Sequence, residues 1–82
     1  MKAHKITVHG PVLVRVVLDA QANVMLVDPA NYRNFQAGQR YKYVGGWYAH
    51  NPVTIPVPCS GEWYVLVGTN GRGRVRYTID VI

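Results

Sequence analysis

A chain of 82 residues suits one domain and leaves no room for two. Cys59 is the sole cysteine and His4, His9 and His50 are scattered, which excludes an internal disulfide and the close ligand pairs of a structural zinc site. Nine basic residues against four acidic ones give a net charge of +5 and a pI near 9.7, a balance that favours anionic partners or serves solubility.

The apolar run from Val12 to Leu18 is interrupted by Arg15 and no cleavage pattern follows it, so the sequence reads as cytoplasmic rather than exported. No stretch approaches the roughly 20 apolar residues that a membrane-spanning helix needs. A domain of this size buries only about 60–65% of its unfolded surface. Neither disulfide nor zinc supplements the core, so a homo-oligomer is expected.

Hydrophobicity alternates with period two along most of the chain. Ile6 and Val8 alternate with polar neighbours before Gly10-Pro11 breaks the first strand. Val12, Val14, Val16 and Leu18 then share one face, with Leu13, Arg15 and Val17 on the other. Both faces are largely apolar, which predicts a central strand or one in a subunit interface. Asp19 to Ala22 turns the chain into a third strand, Asn23 to Val27.

Asp28 to Gly38 departs from the alternation and predicts a short helix over 29–37. Asp28 is placed to cap it, Pro29 suits its first position and Gly38 its left-handed stop. Tyr32 and Phe35, three apart, can pack one helix side onto a sheet.

Strands are expected again at Arg40 to Val44 and, after an interruption at Gly45-Gly46, as a loop or short strand from Trp47 to His50. Val53, Ile55 and Val57 alternate with a proline-rich side, which predicts an edge strand, since proline cannot donate to a ladder. Cys59 to Glu62 reads as a turn, and Trp63, Val65 and Val67 as the next core face. Gly68 to Gly73 reads as a β-turn; no helix follows these glycines, as phosphate-binding loops require. The last strand should point Val75, Tyr77, Ile79 and Val81 inward and Arg74, Arg76, Thr78 and Asp80 outward.

The whole chain, 1–82, therefore reads as a single all-β domain. Its expected form is a small jelly-roll-like β-sandwich of about seven to eight short strands, with one short helix after the third.

The segments Asn23-Val24-Met25-Leu26-Val27-Asp28, Asn31-Tyr32, Tyr43-Val44-Gly45-Gly46, Pro52 to Pro58 and Gly61-Glu62-Trp63-Tyr64-Val65-Leu66-Val67 resemble the bacterial family catalogued as domain of unknown function 1883. The resemblance implies a jelly-roll-like sandwich of bacterial or phage origin, in a family with members that look like accessory domains joined to TIR-type effectors. It implies no functional residues. The family pattern commonly carries an Asp after the Trp-Tyr-Val strand, where this chain has Gly68-Thr69-Asn70.

Two constellations carry chemistry. Arg74 and Arg76 share a strand face beside Arg72, and guanidinium forks match phosphate or carboxylate oxygens in pairs. Tyr43, Trp47 and Tyr48 flank Gly45-Gly46 beside Arg40, Lys42 and His50, supplying stacking rings and cations for a base with attached phosphate. The bland counterparts are a solvated outer face and tyrosines that simply pack the sandwich.

The four carboxylates, Asp19, Asp28, Glu62 and Asp80, read as turn, cap and exterior residues and form no acid–base pair by spacing, although Glu62 and His50 are free to meet in space. The expectation is a non-enzymatic binding module for a small anionic, nucleotide-like ligand, with no cofactor and no metal. Its candidate ligand residues are Arg40, Lys42, Tyr43, Trp47, Tyr48, His50, Arg74 and Arg76. The alternatives are a single-stranded nucleic-acid binder and a carbohydrate- or protein-interaction domain with Trp47 and Tyr48 as a platform.

Overall fold

The computed structural model describes residues 1–69 and 74–82. Among them are seven strands and one helix: β1 (Lys2–Val8), β2 (Leu13–Leu18), β3 (Ala22–Val27), α1 (Pro29–Gln36), β4 (Val44–Tyr48), β5 (Val53–Pro56), β6 (Gly61–Gly68) and β7 (Tyr77–Val81). They form a jelly-roll-like sandwich of two antiparallel sheets, one of order β1-β6-β3-β4 and one of order β5-β2-β7. Only β3 and β4 are neighbours in both chain and sheet; every other ladder joins strands distant in sequence.

The alternation decides what lies between the sheets. Val24, Leu26, Val65 and Val67 from one sheet meet Val14, Val16, Leu18, Val53, Ile55 and Val57 from the other, all buried. Each such side chain contributes about 1.5–3 kcal/mol when removed from water. The two-sided apolar strand β2 is central in its sheet, flanked by β5 and β7, with Leu13 and Val17 exposed on the outer face. β5 is an edge strand, as its prolines require, and Val57 extends it by donating its N–H to the Val12 carbonyl at 3.0 Å. Val81, expected inward, is exposed at the last position of the edge strand β7.

A second apolar cluster lies on the opposite face of the larger sheet. Met25, Val27 and Leu66 are buried there beneath α1, with Tyr32, Phe35, Tyr41 and Tyr64 packed around them. Asp28 caps the helix by accepting the Asn31 N–H at 2.8 Å, Pro29 opens it, and it closes one residue earlier than expected, with Ala37 as C-cap and Gly38 at φ +69°. Tyr32 stacks on Tyr64 with ring centroids 3.9 Å apart, which fixes the helix to the sheet.

The strand expected over Arg40–Val44 does not form. Tyr41 turns onto Phe35, ring centroids 5.2 Å apart, and the Lys42 N–H is donated to Asn31 Oδ1 at 2.7 Å instead of to a ladder. The strand begins at Val44 and runs through the glycine pair rather than stopping at it. Gly45 sits at φ +116°, where a Cβ would collide with the Val24 carbonyl and press on Ile55, so the missing side chain lets β4 close against β3. The turn expected at Cys59–Glu62 is shorter than read, because β6 already starts at Gly61.

Candidate functional site

β1 and β7 belong to different sheets and are joined at one side-chain contact. There the Tyr77 hydroxyl hydrogen-bonds His4 Nε2 at 2.5 Å and the two rings contact edge to face. Beside this contact lies an open cleft of about 680 Å³, lined by Lys2, Val67, Thr69, Arg74, Arg76 and Tyr77 among others. The β1–β6 register sets Lys2 opposite Val67, bringing the lysine to the end of β6. Arg74 and Arg76 arrive on the chain leading into β7.

Asp19 holds that chain in place. Its Oδ1 accepts the Arg76 N–H at 2.7 Å and its own N–H is donated to the Arg76 carbonyl at 3.0 Å. The Asp19 carboxylate thus fixes the backbone of Arg76, a role that reading it as a turn residue had missed. Burial raises the Tyr77 pKa, so its phenol remains a neutral hydrogen-bonding group at neutral pH.

The remaining carboxylates are engaged elsewhere. Glu62 pairs with Lys5 at 3.3 Å, Asp80 with Arg15 at 3.5 Å, and Asp28 caps α1. Among the described residues, Lys2, Arg74 and Arg76 have no ion-pair partner and no carboxylate lines their cleft.

The sequence-predicted ligand residues divide among separate places. Arg74 and Arg76 share the cleft with Lys2. Lys42 and Tyr43 line a smaller hollow of about 190 Å³ with Asp28, Asn31 and Trp63. Arg40 is exposed ahead of β4, and Trp47 is exposed on it. Tyr48 packs on the main core with His50 set edge-on against its ring, so it does not share the exposed face of Trp47 as the platform reading required. Glu62, paired with Lys5, makes no hydrogen bond or ion pair with His50.

Lys2, Val67, Val24 and Gly46 stand in one row across the larger sheet. Three strand spacings, about 14 Å, therefore separate β4 from Lys2, and two, about 9 Å, from the β6 wall of the cleft. Of the turn expected at Gly68–Gly73, residues 70–73, Arg72 among them, lie outside the described residues.

Lys2 and Tyr77 join the site although neither was singled out for it. The available signal was phase: Lys2 and His4 share a strand face with Ile6 and Val8, and Tyr77 with Val75 and Ile79. Among the described residues, no group of three or more His, Cys, Asp or Glu side chains gathers to hold a metal, and no helix is long and apolar enough to cross a membrane.

The family model described as Domain of unknown function (DUF1883) matches residues 4–82, nearly the whole chain, and the chain belongs to that family. No curated protein and no solved structure matches it.

Proposed function

We propose that this member of the DUF1883 family is a non-catalytic binding module whose ligand is a small polyvalent anion of nucleotide type, held in the cleft between β1, β6 and β7. One observation carries the reading: Lys2, Arg74 and Arg76 converge on a single cleft of about 680 Å³ with no carboxylate among the described residues that line it. That volume lies within the roughly 300–1,000 Å³ of small-molecule sites. Two arginine forks and an ammonium offer paired and single contacts to phosphate oxygens. Val75 and Tyr77 give the same cleft an apolar side for a ring. A binding role rather than a catalytic one is supported by the carboxylates, each already tied to an ion pair, a helix cap or a backbone amide.

The test is a thermal-shift and calorimetric screen across nucleoside mono-, di- and triphosphates and cyclic dinucleotides. A ligand at 100 times its Kd stabilises the fold by about 2.7 kcal/mol, and each kcal/mol raises the Tm of a domain this small by about 4–8 °C. The double variant Arg74→Ala, Arg76→Ala should lose the shift while keeping its unliganded Tm. If no nucleotide shifts the wild-type Tm at millimolar concentration, the reading is withdrawn.

A further inference from the structure

The two sheets leave four edge strands, and three carry features that discourage pairing with another chain. β5 contains Pro56 between Pro52 and Pro58, β1 carries Lys2, His4 and Lys5, and β7 carries Asp80 behind Arg74 and Arg76. β4, Val-Gly-Gly-Trp-Tyr, has neither a charge nor a proline. Among the described residues, no strand pairs with its outer side.

The side chains around this edge are large, apolar and exposed: Tyr43 at 51%, Val44 at 39% and Trp47 at 46%. The Trp47 indole makes no ring contact or side-chain hydrogen bond among the described residues. Nothing lies within 4 Å of where a Cβ on Gly46 would stand, so the sheet face is uncovered at that position.

From this we infer that the outer edge of β4 is a docking site, separate from the anion cleft, for an extended peptide strand with an apolar centre and acidic flanks. An added strand would take the edge hydrogen bonds of β4, with side chains on one of its faces against Val44 and those on its other face against Trp47. The flanks follow from charge. Arg40 and Lys42 precede β4 and His50 follows it, none of the three forms an ion pair among the described residues, and the carboxylate that lines the adjoining hollow with Lys42, Asp28, is engaged in capping α1. A second copy of the chain fits less well, because antiparallel pairing about Gly46 would set His50 opposite Lys42 and bring it no carboxylate.

A fluorescein-labelled peptide of alternating Val and Thr, bracketed by Asp-Glu pairs, tests this by anisotropy and by amide exchange. Binding should be at least tenfold weaker for the same peptide with Lys-Lys flanks or with alternate backbone amides N-methylated. Lys42→Glu with Arg40→Glu should reverse the flank preference, and the bound peptide should slow exchange at residues 44–48. Failure of the acidic peptide to bind, equal binding of its N-methylated form, or protection at another edge overturns the proposal. Protection of 44–48 by self-association without peptide, seen in sedimentation, assigns the edge to a second copy and overturns it equally.

Discussion

Asn51 completes the β2–β5 ladder with its side chain: Oδ1 accepts the Leu18 N–H at 2.7 Å, and Nδ2 donates to the Leu18 carbonyl. The register that pairs Val16 with Val53 would set Leu18 opposite Asn51 next, and the carboxamide makes there the two bonds of a strand backbone. Leu18 is buried, so water cannot readily replace either bond. Each unsatisfied backbone group costs about 1–3 kcal/mol. Asn51→Ala should therefore lower unfolding free energy by about 2–4 kcal/mol in urea titration. Asn51→Asp keeps the acceptor but loses the donor, and should not restore wild-type stability.

The adjacent glycines of β4 separate two causes of glycine dependence. Gly45 has a positive φ and no room for a Cβ beside the Val24 carbonyl, whereas Gly46 has a positive φ and open space. Backbone strain alone costs about 1–3 kcal/mol, and overpacking adds a comparable amount, about 1–3 kcal/mol. Gly46→Ala should fold with a modestly lowered Tm, while Gly45→Ala should lose at least twice as much stability or fail to fold. Equal losses would mean that space at Gly45 is not the constraint.

Those glycines also mark where the sequence stopped being readable. Alternation located Val14, Val16, Leu18, Val65 and Val67 in the core because burial acts on every second residue of a strand, whatever its neighbours. The prolines around Val53–Pro56 announced an edge because a missing N–H is a local property. Gly45-Gly46 looked like an interruption because its reason, the approach of the Val24 carbonyl, belongs to a strand some twenty residues earlier. The same limit hid the cleft. Arg74 and Arg76 were visible as a pair, but Lys2 joins them only because β1 pairs with β6, a partner about sixty residues away. Asp19 reads as an ordinary turn residue and Asn51 carries no signal, since the backbone groups they serve, at Arg76 and Leu18, are 57 and 33 positions distant.

Tyr77 should make the fold sensitive to alkali. Burial raises its pKa above the ordinary 10.0, so the unfolded chain gives up this proton at lower pH than the folded one. The stabilisation is fully present below about pH 10 and is lost as pH rises through the higher folded-state pKa. Stability measured by urea titration should thus decline above about pH 10. Tyr77→Phe should remove that component of the slope while lowering stability at neutral pH through loss of the His4 hydrogen bond. An unchanged alkaline slope in the variant would assign the decline to other groups.

The cleft makes a quantitative claim about salt. If Lys2, Arg74 and Arg76 each neutralise a phosphate of a single-stranded oligonucleotide, log K should fall against log salt with a slope near −2, about 0.7 per contact. A small nucleotide confined to the same cleft should show a shallower dependence, because it carries no extended condensed counterion layer. Single Lys2→Ala, Arg74→Ala and Arg76→Ala variants should each weaken nucleotide binding by about tenfold or more, given roughly 1.5–3 kcal/mol for a hydrogen bond to a charged group. Asp19→Ala should weaken binding too, since it frees the backbone that presents Arg76, whereas Asp19→Asn keeps an acceptor for the Arg76 amide and should retain most of the affinity. If Asp19→Ala binds as tightly as wild type, the backbone clamp does not position the guanidinium. If the oligonucleotide binds more tightly than any nucleotide, with the steep salt slope, the ligand is the strand and not the monomer.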